Sequence, residues 1–387
     1  VASTTATDLN DERQRARIAY RRGALTEAID LAQSVVHDGG GASQPDDILF
    51  LCLLLHAARR FTDAIAILRD GVARFPNDPA MHENLGVLSI ALGDAPGAVA
   101  ACEAAIALGT DSPNVLDCLC DAYNRIGRTD RAVAAGRSAL EAKDRQFSRR
   151  PPLVAMPATA PPRFNPANPA ENVIAYCLWG NEPRYRVPLA ENSRILPHLF
   201  PGWSMRVYHA TDVDPAFLRD LQTRGADLRP MALPAGVPPH RRLLWRFAVL
   251  GDASVRRFLV RDADSLLSVK ERVAVDAWLN SGYHFHTMRD WFTHTDLVLA
   301  GLWGGVGGIL PDVETLLGQY AGWRMENDHV DQDLLSETVW PAIRGNVLIH
   351  DSIFTGCLGS VAFPPFGALM PGMHIGQNAF HHFARPG

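Results

Sequence analysis

Phe258-Leu259-Val260-Arg261-Asp262-Ala263-Asp264-Ser265 is an apolar run that climbs to two carboxylates one residue apart. In a strand, residues i and i+2 point to the same side. Asp262 and Asp264 therefore converge on one point just past the strand end. Two aimed carboxylates make half a site for a hard, oxygen-loving cation such as Mg2+ or Mn2+. Short Asp-x-Asp matches are also common as helix caps and loop carboxylates, so the flanking chain decides.

Upstream, Arg241 to Leu250 reads as an amphipathic helix running into that strand, with Arg242 and Arg246 four apart on one face. An arginine so placed suits a diphosphate, which its planar fork can grip bidentately. Further back, the mostly apolar strand Asn172 to Gly180 enters the turn Asn181-Glu182-Pro183-Arg184-Tyr185, a helix follows through Ala190 to Leu196, and Ser204 to His209 is a second strand. Strand, helix, strand reads as parallel α/β, a class whose ligands sit at strand C-terminal ends. Downstream, Leu297 to Gly305 reads as an apolar strand ending in glycines, where backbone can approach a ligand. Gly304 to Gly308 lacks the Gly-x-Gly-x-x-Gly spacing of a dinucleotide site. Asp331-Gln332-Asp333 opens a helix, either as an N-cap with acidic first turn or as a sugar-binding turn. Near the end, His374 beside Gly376 is a candidate third metal ligand.

The remainder of the chain has a different character. All eight tryptophans lie from Trp179 onward, and the region before about Arg145 is helical in composition. Ala64, Ala98 and Ala132 recur every 34 residues, as do Pro79 and Pro113, and Gly93 and Gly127; Ala28 precedes Ala64 by 36. That period, with a small residue where helices cross, resembles tetratricopeptide repeats. About three full units follow a helical pair near Arg13 to Asp38. Such arrays stack into a solenoid with a concave face for a peptide or protein, which Asn84, Asp117, Asn124 and Arg128 would line; buttressing the second domain or dimerising is the alternative. Between the regions, seven prolines from Pro151 to Pro169 exclude helix interior and mark a linker. The expected division is 1–145 repeats, 146–171 linker and 172–387 catalytic domain.

Composition sets bounds. A 387-residue chain with 47% hydrophobic and 20% charged residues fits a soluble globular protein, and a net charge of −5 gives no footprint for nucleic acid. The longest apolar run, Ile48 to Leu55, is far short of a membrane span. No signal peptide is visible, and six scattered cysteines without zinc-type pairs fit reduced thiols in the cytoplasm.

Asp262-x-Asp264, Ala300-Gly301, Asp331-Gln332-Asp333-Leu334-Leu335 and His374-x-Gly376 occur in one order that resembles retaining glycosyltransferases of the GT-A fold, the glycogenin and lipopolysaccharide galactosyltransferase type. The whole is similar to bacterial proteins that join tetratricopeptide repeats to a glycosyltransferase domain. The resemblance implies a divalent cation, Mn2+ or Mg2+, on Asp262, Asp264 and His374, with a UDP-sugar as favoured donor. It implies that Arg184 and Tyr185 in the first loop meet phosphate and base, that Arg246 meets the diphosphate, and that Ala300 and Gly301 border the donor. Asp331 would hydrogen-bond the donor sugar, and Gln332 would lie near the anomeric carbon. The acceptor would be a glycan or protein, and His350-Asp351 a further polar pair on its side. Trp291, Trp303 and Trp323 are candidate sugar platforms, or core. Leu299, Ser336 and Ala379 depart from the family's Asn, Asn and Lys. The alternatives are a repeat-based scaffold with a degenerate transferase domain and a phosphohydrolase. The latter wants its Asp-x-Asp on the first strand, whereas about ninety residues of α/β chain precede this one. An O-linked N-acetylglucosamine transferase also carries such repeats but needs two full Rossmann-like domains.

Overall fold

The structure is a computed structural model, and it describes residues 6–37, 43–324, 329–367 and 373–379. It divides into two compact units, Val1–Ala142 and Lys143–Gly387.

Unit one contains helix pairs. They are α1 (Ala6–Arg21) with α2 (Leu25–His37), α3 (Pro45–Ala57) with α4 (Phe61–Arg74), α5 (Pro79–Ala91) with α6 (Ala95–Ala107), and α7 (Pro113–Arg125) with α8 (Thr129–Phe147), whose last residues belong to unit two. From α5 onward each helix starts 34 residues after its counterpart in the preceding pair. Proline opens α3, α5 and α7, where its missing N–H costs nothing. Ala28, Ala64, Ala98 and Ala132 are all fully buried: only a methyl group fits where the helices cross. The turn inside each pair needs one left-handed residue, and Gly23, Gly93 and Gly127 supply it. Arg59 holds the same position at φ 57° without being glycine. Of the expected groove residues, Asn84 and Arg128 are exposed and Asp117 and Asn124 are half-buried.

Unit two is built on a seven-stranded mixed sheet among the described residues. The strands are β1 (Asn172–Leu178), β2 (Ser204–His209), β3 (Asp227–Pro230), β4 (Arg257–Arg261), β5 (Phe285–Arg289), β6 (Leu302–Val306) and β7 (Val347–Asp351). Their order is β3-β2-β1-β4-β6-β5-β7, and β6 runs antiparallel to both of its neighbours. The helices are α9 (Pro183–Leu199), α10 (Pro215–Thr223), α11 (Val269–Leu279), α12 (Val313–Gln319), α13 (Val330–Leu334) and α14 (Trp340–Ile343). β1 and β4 are wholly buried, as their apolar sequences require. The proline-rich segment lies along this unit: Phe164 stacks on Trp203 at 5.5 Å, and Asn172 donates to the Asn165 carbonyl at 2.9 Å.

Several local expectations are corrected. The helix expected over Arg241–Leu250 is present, but as the 3-10 helix Pro239–Gly251. At three residues per turn, Arg242 and Arg246 no longer share a face; Arg242 lies over Trp245 instead. The strand expected over Leu297–Gly305 begins only at Leu302, so Gly304 and Gly305 sit inside the sheet. A Cβ at Gly304 would meet the Phe258 carbonyl at 2.4 Å, and one at Gly305 the Phe285 ring at 2.5 Å. These glycines admit close sheet packing rather than a ligand. Trp303 is fully buried, edge-on to Phe247 and Phe258. His350 and Asp351 also face inward: Asp351 pairs with Arg289 at 2.7 Å, both fully buried.

Candidate functional site

β1 has β2 on one side and β4 on the other, all parallel. The chain leaves β1 through α9 toward β2, so a crevice opens between the C-terminal ends of β1 and β4. Such a switch point is the place where open parallel sheets bind ligands. Val260 pairs in register with Ala175, which brings Asp262 and Asp264 level with the end of β1. A pocket of about 50 Å³ opens there, lined by Trp179 and Tyr185 on the β1 side, Leu243 and Arg246 from the 3-10 helix, and Asp262 and Asp264.

Each carboxylate carries a guanidinium. Arg184, in the first turn of α9 rather than in a loop, donates from Nε at 3.0 Å and Nη2 at 2.8 Å to one oxygen of Asp264. Arg246 donates from Nη1 to Asp262 and from Nη2 to Asp331 Oδ2 at 2.6 Å. Its side chain is 4% exposed, so Arg246 is a buried clamp between two acids and not the free diphosphate ligand expected. Asp331 is also committed, its Oδ1 accepting the Gln332 N–H at 2.9 Å. Gln332 in turn accepts the Ala300 N–H at 3.0 Å. Gly301 stands against Asp262 so closely that a Cβ would fall 1.8 Å from its Oδ2. The chain thus gathers Asp262, Arg246, Asp331, Gln332, Ala300 and Gly301 into one connected network, with Asp264, Arg184 and Tyr185 beside it.

The loop bearing the two acids is fixed by backbone bonds. Asn192, fully buried on α9, donates to the Ser265 carbonyl at 2.8 Å and accepts the Leu267 N–H at 2.9 Å. Ala379 donates its N–H to the Asp264 carbonyl at 2.8 Å. Burial, and then the charge of Asp262, push the Asp264 carboxyl above its ordinary range, against the pull of Arg184. Burial likewise raises Asp331, with Asp262 adding to it and Arg246 opposing. Three carboxylates against two guanidiniums leave one negative charge, which suits a cation better than a free anion. Cys177 lines the same pocket, but burial pushes its thiol up to about 11, so it is no nucleophile.

His374 is placed elsewhere. Its ring stacks on Trp291 at 4.9 Å and meets His294 edge-on, and its Nδ1 donates to the Ile375 carbonyl at 2.9 Å. Among the described residues no three His, Cys, Asp or Glu side chains gather as a metal-binding group. The neighbouring Ile375 N–H is held by Asp290 at 2.9 Å, and Asp290 pairs with buried Lys270. Of the positions that depart from the family pattern, Leu299 packs in a small apolar cluster with Met288, Leu302 and Ile375. Trp179 and Trp245 went unremarked in the sequence. Trp179 lines the pocket with Tyr185, and buried Trp245 backs it edge-on, its ring 6.4 Å from that of Trp179. The signal was there in Trp179, the first residue after β1.

A second buried polar group follows from β5 and β7, where His286 Nε2 and His350 Nδ1 lie 2.8 Å apart. Burial pushes His350 down to about 4. The folded state keeps this ring neutral, whereas the unfolded chain protonates it below about 6.5. Its contribution is therefore complete above that pH and is lost as pH falls toward 4, at about 1.4 kcal/mol per unit. His350→Asn keeps an acceptor near the Nδ1 position without titrating. Between pH 6.5 and 4.5 the variant is expected to lose about 2–3 kcal/mol less unfolding free energy than the native chain. Urea unfolding at the two pH values checks this.

The family model described as tetratricopeptide repeat matches residues 53–113, so unit one carries repeats of this kind. No curated protein matches the chain. Among solved structures, MamA from Desulfovibrio magneticus RS-1 aligns over 36% of this chain and 80% of its own at 15% identity, TM-score 0.33. Another MamA structure aligns over 36% and 75% at 20% identity, TM-score 0.33. An O-GlcNAc transferase mutant from Thermobaculum terrenum aligns over 60% of this chain and 42% of its own at 17% identity, TM-score 0.35. No helix among the described residues is long and apolar enough to cross a membrane.

Proposed function

We propose that unit two is a metal-dependent glycosyltransferase of GT-A type that moves a sugar from a nucleotide diphosphate, UDP-sugar by preference, to a glycan or protein acceptor, with retention. The observation that carries this reading is the presentation of Asp262 and Asp264 at the sheet's switch point, between an aromatic pocket and the Asp331–Gln332 turn.

The residues fit a hard divalent cation. Two carboxylates compete for charge there, and the absence of a side chain at Gly301 lets the Asp262 carboxylate pack directly against its backbone. Asp262 and Asp264 would hold Mn2+ or Mg2+, which commonly takes only one or two protein carboxylates beside substrate phosphates. A cation so held would neutralise charge on the departing diphosphate. The chain's own groups do the rest. Trp179 and Tyr185 offer flat faces to a base. Arg184 supplies a mobile positive charge for phosphate. Arg246 orients Asp262 and Asp331, and Gln332, fixed by the Ala300 N–H, stands beside Asp262 at the donor sugar. The repeats would recruit an acceptor or protein partner in the cytoplasm.

A second reading, a repeat-based scaffold with an inactive transferase-like domain, is favoured by His374 standing with Trp291 and by Ala379 where the family has Lys. Release of UDP from UDP-glucose, UDP-galactose and UDP-N-acetylglucosamine, with and without Mn2+, separates the two. The transferase is expected to release UDP slowly from one donor, with Mn2+ only. No release from any donor, together with no nucleotide binding, favours the scaffold.

A further inference from the structure

We propose that Arg184 is a latch on Asp264: its guanidinium and a divalent cation are alternative occupants of one carboxylate, and the phosphates of an incoming nucleotide draw the latch open. This inference rests on the reading that Asp262 and Asp264 take a cation.

The two ends of the pair are built differently. Asp264 is 13% exposed, and its loop is pinned by Asn192 and by the Ala379 N–H. Arg184 is 52% exposed on the first turn of α9, with its guanidinium 5.1 Å from the Tyr185 ring. The carboxylate stays and the arginine moves, by rotation about its own side-chain bonds. Both of its donors fall on the same oxygen, Oδ2. A cation ligated at about 2.0–2.2 Å would share that oxygen with a like charge, so one of the two must leave.

Asp262 has no such freedom. Its partner Arg246 is buried and is tied at its other nitrogen to Asp331. The site thus has one fixed guanidinium and one releasable one. A released Arg184 stands beside the aromatic wall, where a nucleotide's phosphates would pass between the base and the acids, and phosphate is a better partner for a planar fork than water. Cation and nucleotide therefore bind with positive coupling, each raising the other's affinity by the same factor. Bare cation is held back until a nucleotide arrives.

The test counts free Mn2+ by electron paramagnetic resonance and measures UDP binding by calorimetry, on the full chain. Arg184→Ala, Arg184→Lys and a control, Arg194→Ala, are compared. Arg194 is exposed on the same helix and, among the described residues, pairs only with Glu191. Without nucleotide, Arg184→Ala is expected to bind Mn2+ about fivefold more tightly, the size of an exposed ion pair. With Mn2+ saturating, the same variant is expected to bind UDP more weakly. Arg184→Lys falls between, and Arg194→Ala moves neither. Opposite signs in one variant are not produced by loss of fold. If the native chain binds Mn2+ and Arg184→Ala binds it no better, the latch is wrong and the proposed function stands. If Mn2+ affinity rises but UDP affinity is unchanged, release onto phosphate is wrong. If neither the native chain nor Arg184→Ala binds Mn2+, both readings fall.

Discussion

Replacing Arg246 by alanine is expected to lower the unfolding free energy of unit two by about 3–5 kcal/mol. Arg246 is the only group bonded to both Asp262 and Asp331 among the described residues. Removing it leaves Asp331, 6% exposed, as a buried charge with no cation beside it, and that desolvation penalty is the largest single cost available at this site. The sequence reading gives a different number: an arginine on an exposed helix face would cost almost nothing in stability when truncated and would lower only nucleotide affinity. All eight tryptophans lie between Trp179 and Trp340, so tryptophan fluorescence in a urea titration reports this unit alone. A midpoint unchanged in Arg246→Ala would contradict the clamp.

Asp262→Asn is expected to leave the fold in place and to lower sugar transfer by on the order of 10³-fold. Asparagine matches aspartate in shape and its carbonyl still accepts from Arg246 Nη1, so the network keeps its geometry. What is lost is the negative charge that holds a cation beside Asp264. The stability change should stay within about 1–2 kcal/mol, while Mn2+ dependence of donor turnover disappears. A variant that keeps most of its transfer rate would remove Asp262 from the chemistry.

How much of this was legible in the sequence differs from element to element. The repeats were readable because alanine, proline and glycine each recur at the same interval for separate mechanical reasons: helix crossing, helix start and left-handed turn. Arg59 escaped notice, since nothing in its type signals a positive φ. The strand ending at Arg261 was readable because two carboxylates at period two follow a run of five buried residues. The helical stretch before it was not, because apolar spacing does not separate a 3-10 helix from an α-helix over three turns. Arg184 and Asp264 are 80 residues apart, and no local pattern announces such a pair. Gly304 and Gly305 looked like ligand-facing glycines; only the sheet shows them packed against Phe258 and Phe285.

The measurement that tests the account most directly is calorimetric titration of UDP and of GDP, with and without Mn2+, on the native chain and on Asp264→Ala. The account predicts binding of UDP in preference to GDP, dependent on Mn2+ and lost in Asp264→Ala. Failure of both nucleotides to bind under any metal condition, or binding that survives both Mn2+ removal and Asp264→Ala, would contradict it.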